Sequence, residues 1–347
     1  MKQEERISTG REARTPDTWF WRPVLYQLSY SRIEKSPDSL FCRQNWCKGT
    51  KKKLHYQHFL QKTHTDMTRL TLIAILIIIT SALHAQPLIT DNITSLPPQV
   101  KATATEIRLT GTPSDSHNGD FRQLRDLCYN LNTLDLSQAQ CSDIPKNAFH
   151  SRHILHTIIL PKTLKTIGTQ AFFACDQMQE ITLPDHLEYI GASAFSMCKN
   201  IRRLTITDKS RLNEIGSYAF KGCQSLRGTI ILPDGLSILG DGAFEGCSKL
   251  KKIVLPNGLR VINTNTFSRC TGLTRIDIGQ TIESIGSCAF SHCIRLRHIT
   301  ISSPTPPTID EATFAGIDPG KITLHVPKAS IEAYRKAPIW KNFKIQQ

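Results

Sequence analysis

The sequence predicts an α/β repeat solenoid: a right-handed coil with a parallel β-sheet on one face and short helical turns on the other. Three observations carry the prediction, all from residues 131–317. A Phe recurs at intervals of 23 to 25 residues, an Ile or Leu keeps step five residues before it, and in six copies a Cys follows three residues after it. One such unit cannot bury its apolar face alone, so the units must stack into a continuous core.

The Phe positions are Phe149, Phe172, Phe195, Phe220, Phe244, Phe267, Phe290 and Phe314, which makes eight units. The residues in step before them are Ile144, Ile167, Ile190, Ile215, Leu239, Ile262, Ile285 and Ile309. The cysteines are Cys175, Cys198, Cys223, Cys247, Cys270 and Cys293. Each unit opens with an apolar triplet such as Leu155-x-x-Ile158-x-Leu160 or Leu250-x-x-Ile253-x-Leu255, whose closing alternation is a strand period. Pro161, Pro184, Pro233 and Pro256 end four of these strands, because proline cannot donate to a ladder. Gly168, Gly191, Gly216, Gly240 and Gly286 follow the Ile or Leu and predict a tight turn. The x-x-Ala-Phe-x-x-Cys stretch spaces apolar residues by three and predicts about a turn and a half of helix.

These residues closely resemble the bacterial BspA-type leucine-rich repeat family, whose unit reads roughly L-x-x-I-x-L-P-x-x-L-x-x-I-G-x-x-A-F-x-x-C. The coil is then of the leucine-rich-repeat-like kind. Two flanks resemble that family's caps. At 86–130 and just beyond lie Ile107-Arg108-Leu109, Asp120-Phe121 and Leu134-Asp135-Leu136; at 318–347 lie Leu324-His325-Val326-Pro327, Ala333-Tyr334 and Trp340-Lys341. Departures are local. The first unit has Arg152 and the last Ile317 in place of Cys, and the first, fourth, seventh and eighth units lack the strand-ending proline. The resemblance implies a secreted or cell-surface bacterial protein, with the periplasm as a further location, that binds host, matrix or bacterial partners.

Ahead of the solenoid, Leu70 to Ile79 form an almost unbroken apolar run preceded by Arg69 and ending in Ser81-Ala82-Leu83-His84-Ala85. This is the pattern of a secretory signal peptide over 67–85, with cleavage after Ala85. The run to Leu83 is 14 residues, short of the roughly 20 a membrane-spanning helix needs. Signal peptides begin chains, so Met67 reads as the natural start and residues 1–66 as a doubtful extension. The rival reading keeps 1–66 as a cytoplasmic segment behind a short signal anchor, with Lys51, Lys52, Lys53 and Arg69 on the inner side. In the extension Cys42, Cys47, His55, His58 and His64 do not match the spacing of a zinc finger, and no metal is expected.

Net charge is +14, aromatic content 7% and hydrophobic content 39%. Residues 1–66 hold thirteen Lys or Arg against seven Asp or Glu, and Arg69 adds one more, leaving about +7 for 86–347. That is too diffuse to argue for nucleic acid. No phosphate-cradling G-x-x-x-x-G-K, H-E-x-x-H or G-x-S-x-G is present, so neither an enzyme nor a cofactor is expected. Asp120 and Asp135 belong to the cap resemblance and read as structural. The six periodic cysteines read as reduced, buried thiols packing as small hydrophobes; Cys128 with Cys141, and Cys288 with Cys293, are the pairs to check for disulfides.

Function should sit on the exposed sheet face. The outward positions flanking the triplet include Arg202, Arg203, Arg227, Lys251, Lys252, Arg275, Arg297 and His298. Like charges on strands about 4.8 Å apart repel, and tolerating that points to an anionic ligand. The plainer reading, slightly preferred, is a solvated edge that keeps the sheet soluble. The expected protein is a monomeric, exported adhesion or protein-binding molecule that meets an extracellular protein or an anionic glycan, with the membrane touched only through its export signal. The alternative is a periplasmic or surface scaffold organising another bacterial protein.

Overall fold

A computed structural model describes residues 87–114 and 119–347. The expected signal peptide at 67–85, the extension 1–66 and its Cys and His residues lie outside the described residues.

Alternation of apolar and polar side chains within each opening triplet gives the first ladder. Strands Thr157–Ile159, Glu180–Thr182, Arg203–Thr205, Gly228–Ile231, Leu250–Val254, Arg275–Ile278 and His298–Ile301 repeat once per coil. Every paired neighbour is parallel, and the inward residues are in register, as in Ile253 with Ile276 and Ile276 with Ile299. The inward column (Ile181, Leu204, Ile230, Ile253, Ile276, Ile299) is buried. Hydrogen bonding along this ladder is interrupted between Thr157–Ile159 and Glu180–Thr182, and again between Arg203–Thr205 and Gly228–Ile231. The second gap falls in the 25-residue interval from Phe195 to Phe220 and beside a bulge at Gly228, which takes φ +87°.

A second ladder was not foreseen. The residues five before each Phe, with the one preceding them, form two-residue parallel strands from Asp143–Ile144 to Ile238–Leu239, and again at Val261–Ile262 and Ser284–Ile285. Ile144, Ile167, Ile190, Ile215 and Leu239 are mutually in register and fully buried. The glycines after them do not take left-handed backbone, contrary to the tight-turn expectation. Their role is close approach: a Cβ on Gly191 would stand 2.5 Å from the backbone nitrogen of Thr169, one coil back.

The Ala-Phe segments also differ from expectation. They form consecutive turns and contain no α-helix. Left-handed residues flank every Phe from Phe149 to Phe290, Gln170 at φ 55° and Ala174 at φ 56° in one coil, and these break a helix. They also turn alternate N–H groups along the solenoid. Gln170, Phe172 and Ala174 donate to Ala192, Ala194 and Ser196 of the next coil at 2.8 to 2.9 Å. The turns are thus a third inter-coil ladder.

The Phe rings stack in one file from Phe149 to Phe314, with centroids 5.1 to 5.9 Å apart and planes within 14° of parallel. Edge-on rings close the file at both ends: Phe121 on Phe149 at 79°, and Trp340 and Phe343 on Phe314 at 72° and 70°. The first ladder extends through both flanks. Leu88–Thr90 and Glu106–Leu109 precede it, and Thr323–His325 and Lys344–Gln346 follow. At the first end Asp120, buried at the start of helix Asp120–Asp126, accepts from the backbone N–H of Ile93 at 2.6 Å, Thr94 at 3.1 Å and Ser114 at 2.8 Å. At the last, Tyr334 Oη donates to Ser303 O at 3.1 Å and Trp340 Nε1 to Pro307 O at 2.8 Å.

Candidate functional site

The repeat core is structural. Phe149, Phe172, Phe195, Phe220, Phe244, Phe267 and Phe290 are fully buried, and Phe314 nearly so. Cys175, Cys198, Cys223, Cys247, Cys270 and Cys293 are fully buried free thiols, each donating to a Phe carbonyl of the preceding coil at 3.0 to 3.3 Å. Burial pushes the thiols of Cys175, Cys223 and Cys293 up to about 12 and those of Cys198, Cys247 and Cys270 well above their ordinary value. The candidate disulfide pairs are not bridged: Cys128, Cys141, Cys288 and Cys293 are all free. In the first unit Arg152 takes the Cys place and donates to the carbonyls of Arg125, at 3.0 Å, and Cys128.

The eight cationic residues do not form one uniform row. Arg203, Lys252, Arg275 and His298 lie on the sheet face, where Lys252, Arg275 and His298 are aligned neighbours. Three of the four meet carboxylates. Arg203 is 3.5 Å from Glu180, while Lys252 and Arg275 converge on Asp277 at 2.7 and 2.9 Å. Burial alone would raise the carboxyl of Asp277, but hydrogen bonds from Lys252, Arg275 and Thr300 outweigh it and hold the group below its ordinary range. His298 stacks on His325 with ring centroids 6.4 Å apart. The repulsion expected of this face is largely neutralised.

Arg202, Arg227 and Arg297 stand immediately before their strands, and Lys251 is the second residue of strand Leu250–Val254, where the register shifts opposite Gly228. Their backbones are laddered: Arg227 N–H donates to Arg202 O at 3.3 Å, Thr274 N–H to Lys251 O at 2.9 Å and Arg297 N–H to Thr274 O at 3.0 Å. All four are exposed, and among the described residues none is paired with a carboxylate. Beside them lies an open notch of about 480 Å³ lined in part by Arg227, Lys249, Lys251 and Arg295. Lys249 and Arg295 escaped the sequence reading, because they occupy the second position after Cys and not a strand. The alternation Lys249, Gly272, Arg295 at that repeat position was the available signal.

Among the described residues no group of three or more His, Cys, Asp or Glu could hold a metal ion, and no helix is long and apolar enough to cross a membrane.

A family model described as BspA type leucine rich repeat region matches residues 125–228 and 203–320, with six copies. No curated protein matches the sequence. Among solved structures the chain is similar to a leucine-rich repeat protein of T. pallidum at 28% identity, over 47% of this chain and 77% of that one, with a TM-score of 0.43. It is similar to a leucine rich cell surface protein of Faecalibacterium prausnitzii at 18% identity, over 65% and 69% of the two chains, with a TM-score of 0.36. A leucine-rich repeat protein of Bacteroides ovatus is 21% identical over 75% and 92%, with a TM-score of 0.32.

Proposed function

Because the chain belongs to the BspA-type leucine-rich repeat family, we propose that it is an exported, secreted or cell-surface binding protein that adheres to an extracellular partner. The observation that carries this reading is the exposed row Arg202, Arg227, Lys251 and Arg297, four cations without carboxylate partners beside a sheet face whose own cations are mostly paired. A solenoid holds such a row in place, since backbone hydrogen bonds tie Arg227 to Arg202, and Lys251 through Thr274 to Arg297. Preorganised charge gives attraction without the cost of ordering long loops. The apolar signal at 70–83 supplies the route out of the cell.

The test pairs location with binding. Protease added to intact cells should remove the chain, and the purified chain should adhere to an extracellular-matrix layer. Changing Arg202, Arg227, Lys251 and Arg297 together to Ser should reduce that adherence by about tenfold or more, in a manner that fades as salt is raised. A chain shielded from protease, or adherence that the fourfold change leaves untouched, overturns the reading.

A further inference from the structure

The notch beside the cationic row has a construction the row itself does not explain. At the second position after Cys, three successive coils carry Lys249, Gly272 and Arg295. Gly272 is buried, and a Cβ there would stand 2.4 Å from the carbonyl oxygen of Ser248 in the preceding coil. Close approach of two coils therefore demands glycine. Its missing side chain leaves a gap between two cationic walls that are two coils, or roughly 10 Å, apart by strand spacing. Arg227 and Lys251 add charge on the strand-ward side, and Thr271, which carries a hydroxyl, is among the lining residues.

We infer that this notch binds the sulfate ester of an extended anionic glycan, whose chain continues along the exposed row of cations. This specifies the ligand class of the surface proposed above and rests on that reading. The chemistry of the lining selects the class. A sulfate ester presents three acceptor oxygens, enough to meet both walls and a hydroxyl donor at once, whereas a carboxylate presents two. No aromatic side chain lines the notch, so nothing there stacks a base or a sugar ring. Ile294 is the one large apolar side chain in the lining, too little for the buried anchors of a protein interface. No carboxylate lines it either, in contrast to the sheet face, where Asp277 holds Lys252 and Arg275.

The test compares two double variants of the full chain, each losing two cations, on immobilised heparin. Lys249→Ser with Arg295→Ser should weaken retention by about tenfold and flatten its dependence on log salt by about two counterions. Arg203→Ser with Lys252→Ser should weaken it less than about threefold, because those cations already face carboxylates. All four residues are at least partly exposed, and matching thermal melts will show that both variants fold. Chemically desulfated heparin should fail to compete with the column, as should vesicles of anionic phospholipid. Equal losses in the two variants, an unaffected notch variant, competition by either agent, or a wild-type chain that heparin does not retain would each overturn the inference. The broader reading is decided separately by adherence to the matrix layer, which a protein ligand could support without any sulfated glycan.

Discussion

The thiol of Cys198 donates to the carbonyl oxygen of Phe172 across a coil boundary, at 3.0 Å. The same carbonyl accepts the N–H of Cys175 at 3.2 Å, so both of its lone pairs are used. Five further thiols repeat this contact along the solenoid. The regular period of Cys thus has a donor role besides packing: each S–H satisfies a buried acceptor that a plain hydrophobe would leave half-used. A disulfide would remove the donor from two coils at once.

Alkali should unfold the protein through these thiols. An unfolded cysteine ionises near 8.5, while burial pushes Cys175, Cys223 and Cys293 up to about 12 and the other three well above the ordinary range. Stability is therefore full below about pH 8.5 and falls as pH rises toward the folded-state values, because only the unfolded chain releases these protons. Each thiol contributes a slope of about 1.4 kcal/mol per pH unit in that window. Urea midpoints at pH 7, 9 and 10 should show a steep decline, and a chain with Cys198, Cys223 and Cys247 changed to Ala should show a clearly shallower one. Equal declines in the two chains would put the effect on other groups.

Loss of a ring from the middle of the Phe file should cost more than loss at its end. Phe220 stacks on Phe195 and Phe244 at 5.2 Å on each side and is fully buried. Phe220→Ala should cost about 3–5 kcal/mol by urea denaturation, the range for a deleted core ring. Phe220→Leu keeps most of the volume and should cost about 1–2 kcal/mol, chiefly the two ring contacts. A cost of under about 1 kcal/mol for the alanine change would show that the coils collapse around the gap.

The contrast between Phe and its neighbours also marks how far the residues alone could be read. Period, strand face, ring file and thiol burial follow from residue type at fixed spacing, because stacking leaves one interior for every coil. The turn geometry does not follow. Apolar residues three apart suit a helix and a chain of turns equally, and left-handed Gln170 and Ala174 carry no residue-type mark. The mark sits in other coils, where Gly222, Gly246 and Gly316 occupy the place of Ala174 at φ 73° to 76°. Charge pairing was hidden for a different reason. Lys252 and Asp277 sit at positions offset by two along neighbouring strands, so a row read one repeat position at a time shows the cation without its partner. Lys249 and Arg295 were missed because a turn position gives no period-two signal.

Asp120 is a second place where one side chain carries backbone order. Its carboxylate accepts three backbone N–H bonds, from Ile93, Thr94 and Ser114. Asp120→Ala leaves those donors unmet around a buried site and should cost about 2–4 kcal/mol. The damage should be local, since coils in a solenoid touch only their neighbours. Hydrogen exchange should accelerate at Ile93 and in strand Glu106–Leu109 while Ile253 and Ile276 keep their protection. Uniform acceleration along the chain would mean that the first coils are needed to hold the rest.

Asp277 decides how basic the sheet face is. Its two oxygens hold Lys252 at 2.7 Å and Arg275 at 2.9 Å, and its carboxyl sits below the ordinary range, so it is ionised at any pH near neutrality. Asp277→Asn removes the negative charge and leaves both cations in place, adding one net positive charge to the face and releasing two long side chains toward solvent. Retention on heparin should then shift to higher salt, with affinity rising about twofold to fivefold at low ionic strength and the gain vanishing as salt screens it. The cost to folding should stay within about 1 kcal/mol, because these groups remain partly exposed and such pairs are weak. The gain should also persist when Lys249 and Arg295 are changed to Ser, since the face and the notch are separate sets of charges. Unchanged or weaker retention in Asp277→Asn would mean that the face never meets the anion, leaving the notch and its row as the whole contact.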